Sequence, residues 1–268
     1  MIRDITLGQY FPGDSVIHRM DPRMKMILTF VFIIELFIVR TFTGFAVAAL
    51  MLAAVNVLSG ISAKTVLRSI RPLLFVIILT AFFNVFYGGG DPLFPSVGWL
   101  RWLTAEGLFR AAFMALRIVL LIIGTSFMTY TTSPVMLTDA IERLLLPLKY
   151  VKVPVHELAM MMTITMRFIP TLIDETERIM NAQKARGADF ETGNIVRRAK
   201  ALVPILVPLI VSSFKRAEEL ADAMECRCYN GGDGRTRYKI YKLSARDWIA
   251  ALIVALSIAL IILANIYL

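Results

Sequence analysis

The C-terminal segment from Trp248 to Leu268 contains no charged residue, and this feature limits the fold more than any other. A transmembrane helix needs about 20 predominantly apolar residues, because the hydrocarbon core of a bilayer is about 30 Å thick. The composition agrees: 57% of the 268 residues are hydrophobic and 18% are charged, whereas soluble domains have about 25% charged residues. We therefore predict an integral membrane protein and exclude an intrinsically disordered chain.

Five apolar segments are candidates for membrane spans. Their approximate bounds are Met26 to Val39, Phe42 to Leu58, Leu73 to Phe86, Leu108 to Tyr130, and Trp248 to Leu268. The first and third are short for a span, so they must include flanking residues or tilt. The predicted fold class is all-α: a polytopic membrane helix bundle of about five spans, with a cytoplasmic domain of long amphipathic helices.

Basic residues are unevenly distributed among the links between spans. Those of the N-terminal stretch and of the link between spans two and three are Arg3, Arg19, Arg23, Lys25, Lys64, Arg68 and Arg71, whereas the other two short links carry Arg40 and Arg101. The positive-inside rule then predicts a cytoplasmic N-terminus, and five crossings place the C-terminus outside. Residues 88–102 become an external loop. A nucleic-acid surface is the rival explanation for the excess of Lys and Arg, 29 against 20 acidic residues, but the hydropathy favours the membrane.

The long segment between the fourth and fifth spans carries most of the charges, of both signs. Its apolar stretches are interrupted by charges, as in amphipathic helices that lie against a membrane or a partner. Proline and glycine positions predict helices at about 134–146, 155–169, 171–186 and 194–226, with Pro170, Pro204 and Pro208 kinking or starting helices. The predicted domains are an N-terminal membrane part with four transmembrane helices (1–131), a cytoplasmic domain (132–246) and the last transmembrane helix (247–268).

The sequence contains no recognisable catalytic constellation or cofactor site. His18 and His156 are far apart and are interpreted as structural. The stretch from Gly60 to Thr65 faintly resembles a phosphate-binding loop, but it lacks the glycine before the lysine and the βαβ context. Cys226 and Cys228 are too close to form a disulfide framework, and a structural zinc site needs four ligands, usually with C-x₂₋₄-C spacing. We therefore expect no metal, no cofactor and no enzymatic activity.

Two short segments, Ala182 to Phe190 and Ala223 to Gly231, each place an arginine between small residues where a charged amphipathic helix stops. The helix dipole favours an arginine at that position, which would explain one such site. Two such arginine sites in one segment indicate a role beyond helix capping. Small neighbours leave the guanidinium clear of its own helix, a shape suited to a carboxylate-bearing groove on a partner, where the planar fork binds bidentately.

These motifs, with the N-terminal stretch from Gly13 to Lys25, resemble the transmembrane T component of energy-coupling factor transporters, the vitamin- and metal-uptake branch of the ABC superfamily. Ala185-Arg186-Gly187 and Cys226-Arg227-Cys228 match the two x-Arg-x signatures of that family. The stretches 185–194 and 231–237 extend a likeness that covers nearly the whole chain. The second signature departs from the common Ala-Arg-Gly by its cysteines. Because cysteine is small, the docking role stands, and an additional role of the thiols stays open.

The resemblance implies a complex in the inner (cytoplasmic) membrane of two ABC ATPases, one membrane-embedded substrate-binding S component and this chain. Two coupling helices would cross, and each would deliver its arginine to one ATPase. Their apolar upper face would hold the S component. A flexible methionine surface suits such a role, with ordinary core filling as the alternative; the candidate residues are Met160, Met161, Met162 and Met166.

Other interpretations make different demands on the sequence. A dedicated cobalt or nickel permease subunit of the same family is the nearest alternative. A membrane-embedded enzyme would need catalytic groups inside the spans, and a self-sufficient transporter would show inverted repeats; neither is found. Glu35, Arg110 and Arg117 lie within predicted spans, where ionisable groups are usually paired or functional. We expect an ion pair between spans one and four.

Overall fold

The computed structural model describes residues 10–86, 104–190, 194–231 and 243–267. The fold is an all-α helical membrane bundle, which confirms the predicted class. The predicted external loop, with Trp99 and Trp102, lies outside the described residues. The α-helices are α1 (Pro22–Ile38), α2 (Phe42–Ser59), α3 (Ala63–Arg68), α4 (Leu74–Phe86), α5 (Ala105–Thr131), α6 (Pro134–Leu145), α7 (Val155–Ala185), α8 (Ile195–Glu225) and α9 (Ala245–Tyr267). Short 3₁₀ helices at Arg71–Leu73 and Leu146–Val151 precede α4 and follow α6.

The chain forms two compact units. The membrane unit comprises Gly8–Leu137 and Ile240–Leu268, and the α7–α8 unit lies within Thr138–Lys239. In the membrane unit α1 packs against α5 and α9, α2 packs against the same two helices, and α4 packs on α5. Its core is aliphatic and aromatic and includes Phe32, Leu36, Phe45, Leu52, Phe127 and Ile261.

Polar contacts join the N-terminal ends of α1 and α9. Asp21 caps α1 by accepting a hydrogen bond from the Arg23 amide. The Asp247 carboxylate accepts from the Ser244 amide (2.7 Å) at the start of α9 and from the Asp21 amide (3.0 Å). Lys25 donates to the Thr131 carbonyl (2.9 Å) at the end of α5. The starts of α1 and α9 therefore meet the end of α5 in a buried polar cluster.

The opposite ends of α1 and α9 are also joined. The Asn265 amide donates to the Ile38 carbonyl (2.9 Å), and its oxygen accepts from the Arg40 backbone N–H (3.2 Å). Helix α1 therefore runs parallel to α9 and contacts it at both ends.

Four segments are long and apolar enough to cross a membrane: Phe42–Ser59, Ala63–Phe86, Ala105–Thr131 and Ala245–Tyr267. The segment Ala63–Phe86 includes the short α3 and the 3₁₀ turn, so the apolar run that begins near Leu73 gains the flanking residues that a span needs. Helix α1 has only 17 residues and includes the charged residues Lys25 and Glu35. It is therefore not among these four segments, and its membrane crossing stays a prediction.

The prolines do not divide the long helices. The sequence predicts separate helices at 155–169 and 171–186, but α7 is continuous from Val155 to Ala185 with Pro170 inside it. Helix α8 likewise contains Pro204 and Pro208. The prediction of a break at Pro170 is wrong, because a proline removes one backbone hydrogen bond while the turns on either side keep theirs.

The predicted ion pair between spans one and four is also wrong. Within the described residues Glu35 is 1% exposed and neither of its carboxyl oxygens accepts a hydrogen bond. Arg110 instead pairs with Glu106 on its own helix. Arg117 donates to the Val39 carbonyl (3.0 Å) and lies over the ring of Phe37, so α5 is joined to the end of α1 by a hydrogen bond to a backbone carbonyl.

Gly124 of α5 permits a close contact with Phe32 of α1. A Cβ at position 124 would lie 2.4 Å from Cε1 of the Phe32 ring. We expect Gly124→Ala to lower the free energy of unfolding by about 1–3 kcal/mol, as overpacked cores do, measured by thermal unfolding of the chain in detergent. Adding Phe32→Leu should recover part of the loss. A Gly124→Ala variant as stable as the parent would contradict the close contact.

Candidate functional site

The first arginine signature is the C-terminal cap of α7. The chain turns through Gly187, which has a positive φ of 87°. The Gly187 amide donates to the Lys184 carbonyl (3.0 Å), and the Ala188 amide donates to the Gln183 carbonyl (3.0 Å). This pair of hydrogen bonds defines a Schellman motif, and Arg186 occupies the C-cap position.

The second signature is the same motif at the end of α8. The Cys228 amide donates to the Glu225 carbonyl (2.8 Å), and the Tyr229 amide donates to the Met224 carbonyl (3.1 Å). Cys228 occupies the left-handed position with a φ of 54°, and Arg227 is the C-cap residue. The two signatures are therefore structurally equivalent, although one has glycine and the other cysteine at the position of positive φ.

Both arginines are exposed, and within the described residues neither guanidinium has an ion-pair partner. Their small neighbours Ala185, Gly187, Cys226 and Cys228 are exposed as well. A guanidinium at a C-cap benefits from the helix dipole and retains its five N–H donors for a carboxylate on another molecule. Each turn therefore presents a bidentate donor at the end of a 31-residue helix.

The residue at the left-handed position controls the stability of each turn. Gly187→Ala should be destabilising and Cys228→Gly stabilising, each by about 1 kcal/mol, because a side chain with Cβ is disfavoured at positive φ. Thermal unfolding in detergent should show midpoints that move in opposite directions. Cys226→Ala, directly after the last residue of α8, is the control and should have little effect. A Cys228→Gly variant less stable than the parent would contradict this explanation.

Helices α7 and α8 are joined by a polar contact in their C-terminal halves. The Glu175 carboxylate of α7 accepts hydrogen bonds from the Ser212 hydroxyl and the Arg216 guanidinium of α8. The Ser212 hydrogen bond, helped by the charge of Arg216, holds the pKa of the Glu175 carboxyl below its ordinary value. Since the pKa is lowered, this contact stabilises the helix pair above the ordinary carboxyl pKa and weakens as the pH falls below it.

The contact lies at equivalent positions on the two helices. Glu175 precedes Arg186 by eleven residues, and Arg216 precedes Arg227 by eleven residues. At 1.5 Å per residue, each arginine lies about 16 Å along its helix from the contact. This contact is not predictable from the sequence, because nothing in either helix alone indicates which charges meet.

Both helices expose apolar side chains. Of the candidate methionines on α7, Met161 and Met162 are exposed, while Met160 and Met166 are half-buried. Helix α8 exposes a larger apolar set, none of whose residues was named among the candidate contacts: Val196, Leu202, Val203, Leu206, Val207, Ile210, Val211 and Phe214. Exposed apolar surface of this extent is typical of membrane or protein contacts.

The histidines have structural contacts. The His18 ring bonds to the Ser15 hydroxyl (2.7 Å) and the Phe11 carbonyl (3.0 Å), and His156 contacts Glu142 (3.2 Å). Cys226 and Cys228 are exposed free thiols. Across the described ranges, no three His, Cys, Asp or Glu side chains form a group that could hold a metal ion.

Comparison with known proteins identifies the family. Residues 13–238 match the family model CbiQ, described as cobalt transport protein. The chain is 53% identical over 270 residues to the energy-coupling factor transporter transmembrane protein EcfT of Clostridium kluyveri, covering 100% of this chain and 99% of that protein. It is 54% identical over 246 residues to EcfT of Thermosediminibacter oceani, covering 92% of each. EcfT of Lactococcus lactis subsp. cremoris is 44% identical over 262 residues, covering 98% of this chain and 97% of that protein. With these matches, four apolar helices and the paired arginine turns, the chain belongs to the family of energy-coupling factor transporter transmembrane proteins.

Proposed function

We propose that this chain is the non-catalytic subunit that couples ATP hydrolysis by two ABC ATPases to uptake through one substrate-binding S component. The observation that carries the proposal is the pair of equivalent C-cap turns. Two helices of equal length end in the same motif, and each motif presents an exposed arginine without an ion-pair partner among the described residues. Helix capping alone requires neither small residues on both sides of the arginine nor the occurrence of this arrangement at two helix ends.

Each arginine would enter a carboxylate-bearing groove on one ATPase. The turns supply six residues to these contacts: Ala185, Arg186, Gly187, Cys226, Arg227 and Cys228. A planar guanidinium binds a carboxylate through two parallel hydrogen bonds, which fixes orientation as well as position. ATP-driven movement of an ATPase would thereby be transmitted along α7 or α8. The chain itself needs no cofactor or metal for this role.

The S component would rest on the exposed apolar surface of the same two helices. Met161 and Met162 of α7, with the less exposed Met160 and Met166, supply adaptable contacts. The apolar residues of α8 extend this surface. A partner that spans the membrane supplies matching apolar surface, and flexible methionines can fit different partners.

The chain would lie in the cytoplasmic membrane with its N-terminus inside, its C-terminus outside and residues 132–246 in the cytoplasm. Two observations support this topology. Basic residues concentrate in the N-terminal stretch and the α2–α3 link. The starts of α1 and α9 also meet the end of α5, so residues 21, 131 and 247 belong to one face of the membrane unit. Helix α1 then crosses beside α9 as the fifth span, which gives membrane parts 1–131 and 247–268.

A dedicated cobalt or nickel permease subunit is the second candidate, and the description of the matching family model favours it. The two candidates share the ATPase contacts and differ in the membrane partner. A dedicated subunit would always co-purify with the same metal-binding membrane protein. A shared subunit would co-purify with several substrate-binding proteins.

The test is purification of the tagged full-length chain from its own cells, with identification of every bound protein. We expect two ATPase subunits and one small membrane protein per complex. The chain freed of its partners should not hydrolyse ATP. On a cysteine-free background, a single cysteine introduced at Thr176 should react with a membrane-impermeant maleimide only after the cells are opened. External labelling at that position would contradict the topology, and a chain that retains no ATPase would contradict the coupling role.

A further inference from the structure

Two free thiols flank Arg227, and the coupling role requires neither of them. Cys226 directly follows Glu225, the last residue of α8, Cys228 follows the arginine, and both side chains are exposed. At the equivalent positions of the first turn, Ala185 and Gly187 have no reactive group. The second turn therefore has a chemistry that the first turn lacks.

The spacing permits a bond between these thiols. Consecutive Cα atoms are about 3.8 Å apart, so residues i and i+2 in a turn are separated by about 5–7 Å, while disulfides join Cα atoms about 4.4–6.8 Å apart. The ring closed by such a bond contains the backbone N, Cα and C atoms of Arg227. Formation of the bond therefore constrains the residue that is proposed to dock.

The turn that presents Arg227 depends on a conformation that cysteine disfavours. Cys228 is held at positive φ by two hydrogen bonds, from its own amide to Glu225 and from the Tyr229 amide to Met224. A small ring between positions 226 and 228 must bring the two Cβ atoms to about 3.8 Å. The disulfide ring, rather than the helix cap, then determines the backbone dihedral angles at Arg227 and Cys228.

We propose that Cys226 and Cys228 form a reversible thiol–disulfide switch that controls docking of Arg227 on its ATPase; this inference rests on the proposed function. The oxidant is a small-molecule disulfide, RSSR. The thiolate of one cysteine attacks a sulfur of RSSR, forming a mixed disulfide and releasing one RS⁻. The other cysteine thiolate then attacks the protein sulfur and releases the second RS⁻. Two protein thiols become one disulfide, RSSR is reduced to two RSH, and the two protons from the cysteines end on the released thiols.

The switch acts on the undocked chain. An arginine seated in a groove brings its neighbours into the interface, so a bound ATPase shields both thiols from RSSR. Because the cytosol is kept reducing, the disulfide is transient, as in redox-sensing proteins. Oxidative conditions would then prevent new ATPase contacts at α8 and leave the turn after α7 unaffected.

The experiment uses the full-length chain in detergent, treated with oxidised glutathione or with dithiothreitol. After oxidation we expect a mass lower by two hydrogen atoms and loss of maleimide labelling at both cysteines. The affinity of the ATPase contact at α8 should fall about tenfold or more, while the contact at α7 is retained. Dithiothreitol should restore binding. The Cys226→Ala/Cys228→Gly variant should bind ATPase equally well under both treatments, and Cys226→Ser should give only a glutathione adduct.

Some results would overturn the switch alone. These are a chain with one glutathione on each cysteine, a chain whose thiols stay reactive, and an oxidised chain that binds ATPase as tightly as the reduced chain. If the reduced chain and the Cys226→Ala/Cys228→Gly variant both bound no ATPase, that result would instead overturn the coupling role. In that case the mass measurement still separates failure of the docking role from failure of the disulfide to form.

Discussion

Replacement of both Arg186 and Arg227 by alanine should abolish ATPase co-purification and substrate uptake, while each single replacement should weaken them partially. Removing one partner of a buried, hydrogen-bonded charge pair costs about 3–5 kcal/mol, because the other charge is left unpaired. In the proposed complex each arginine docks on a different ATPase, so their effects on binding free energy should be roughly additive. Uptake should fall more steeply than binding, because the proposed coupling uses both ATPases to move one S component.

The matched control is the double variant Arg167→Ala/Lys215→Ala. Like the double alanine variant of the turns, it removes one positive charge from α7 and one from α8, but at exposed positions away from the turns. It should leave ATPase binding near that of the parent. Arg186→Lys with Arg227→Lys should resemble the alanine variants, since an ammonium group cannot form the bidentate contact. Normal assembly and uptake by the double alanine variant would reduce both motifs to helix caps.

Loss of the Lys25 ammonium should destabilise the membrane unit more than any exposed charge change. Lys25 is 6% exposed and donates to the carbonyls of Thr131 and His18. Its charge also lies near the Asp247 carboxylate, which is 1% exposed. The substitution Lys25→Met keeps an unbranched side chain of similar length and removes the charge. We expect a loss of about 1–3 kcal/mol, because the Thr131 and His18 carbonyls lose a charged hydrogen-bond donor. Thermal unfolding in detergent measures the effect.

The double variant Lys25→Met/Asp247→Asn tests the charge interaction itself. Its loss should be smaller than the sum of the two single losses, because neither charge is then left alone. The exposed pair of Arg19 and Asp14, 3.6 Å apart, supplies the control: Arg19→Ala should cost about 0–1 kcal/mol. If Lys25→Met were as stable as Arg19→Ala, the polar cluster would have no structural role.

The parts of this fold that were predictable are those with local causes. The uninterrupted apolar run at Trp248 indicated α9 directly. The arginine turns were detectable because small residues, an arginine and the end of a charged helix occur together twice. The position of positive φ could be inferred for Gly187, where glycine is the usual residue. At Cys228 it could not, because the helix cap is formed there by a residue that rarely adopts that conformation.

The remaining features depend on contacts between distant residues. The hydrogen bond from the Asp21 amide to Asp247 joins positions 226 residues apart, and either residue alone is an ordinary helix cap. Pro170 was interpreted by its usual effect on a helix, although α7 continues through it. The opposite charges of Glu35 and Arg117 suggested an ion pair, but Arg117 donates to the backbone carbonyl of Val39 instead. Charge signs alone do not identify partners among packed helices.

The contact of Glu175 with Ser212 and Arg216 has a mechanical consequence. If α7 and α8 rotate about this contact as rigid rods, both arginines move by the same amount, because each lies about 16 Å from it along its helix. A change of about 10° in the crossing angle, shared equally by the two helices, displaces each arginine by about 1.5 Å at that distance. Equal displacement allows two ATPases that close together to act on the helix pair without shifting its pivot. In the proposed complex, an ATPase that closes alone would instead pull the pivot sideways, and simultaneous closure would avoid this shift.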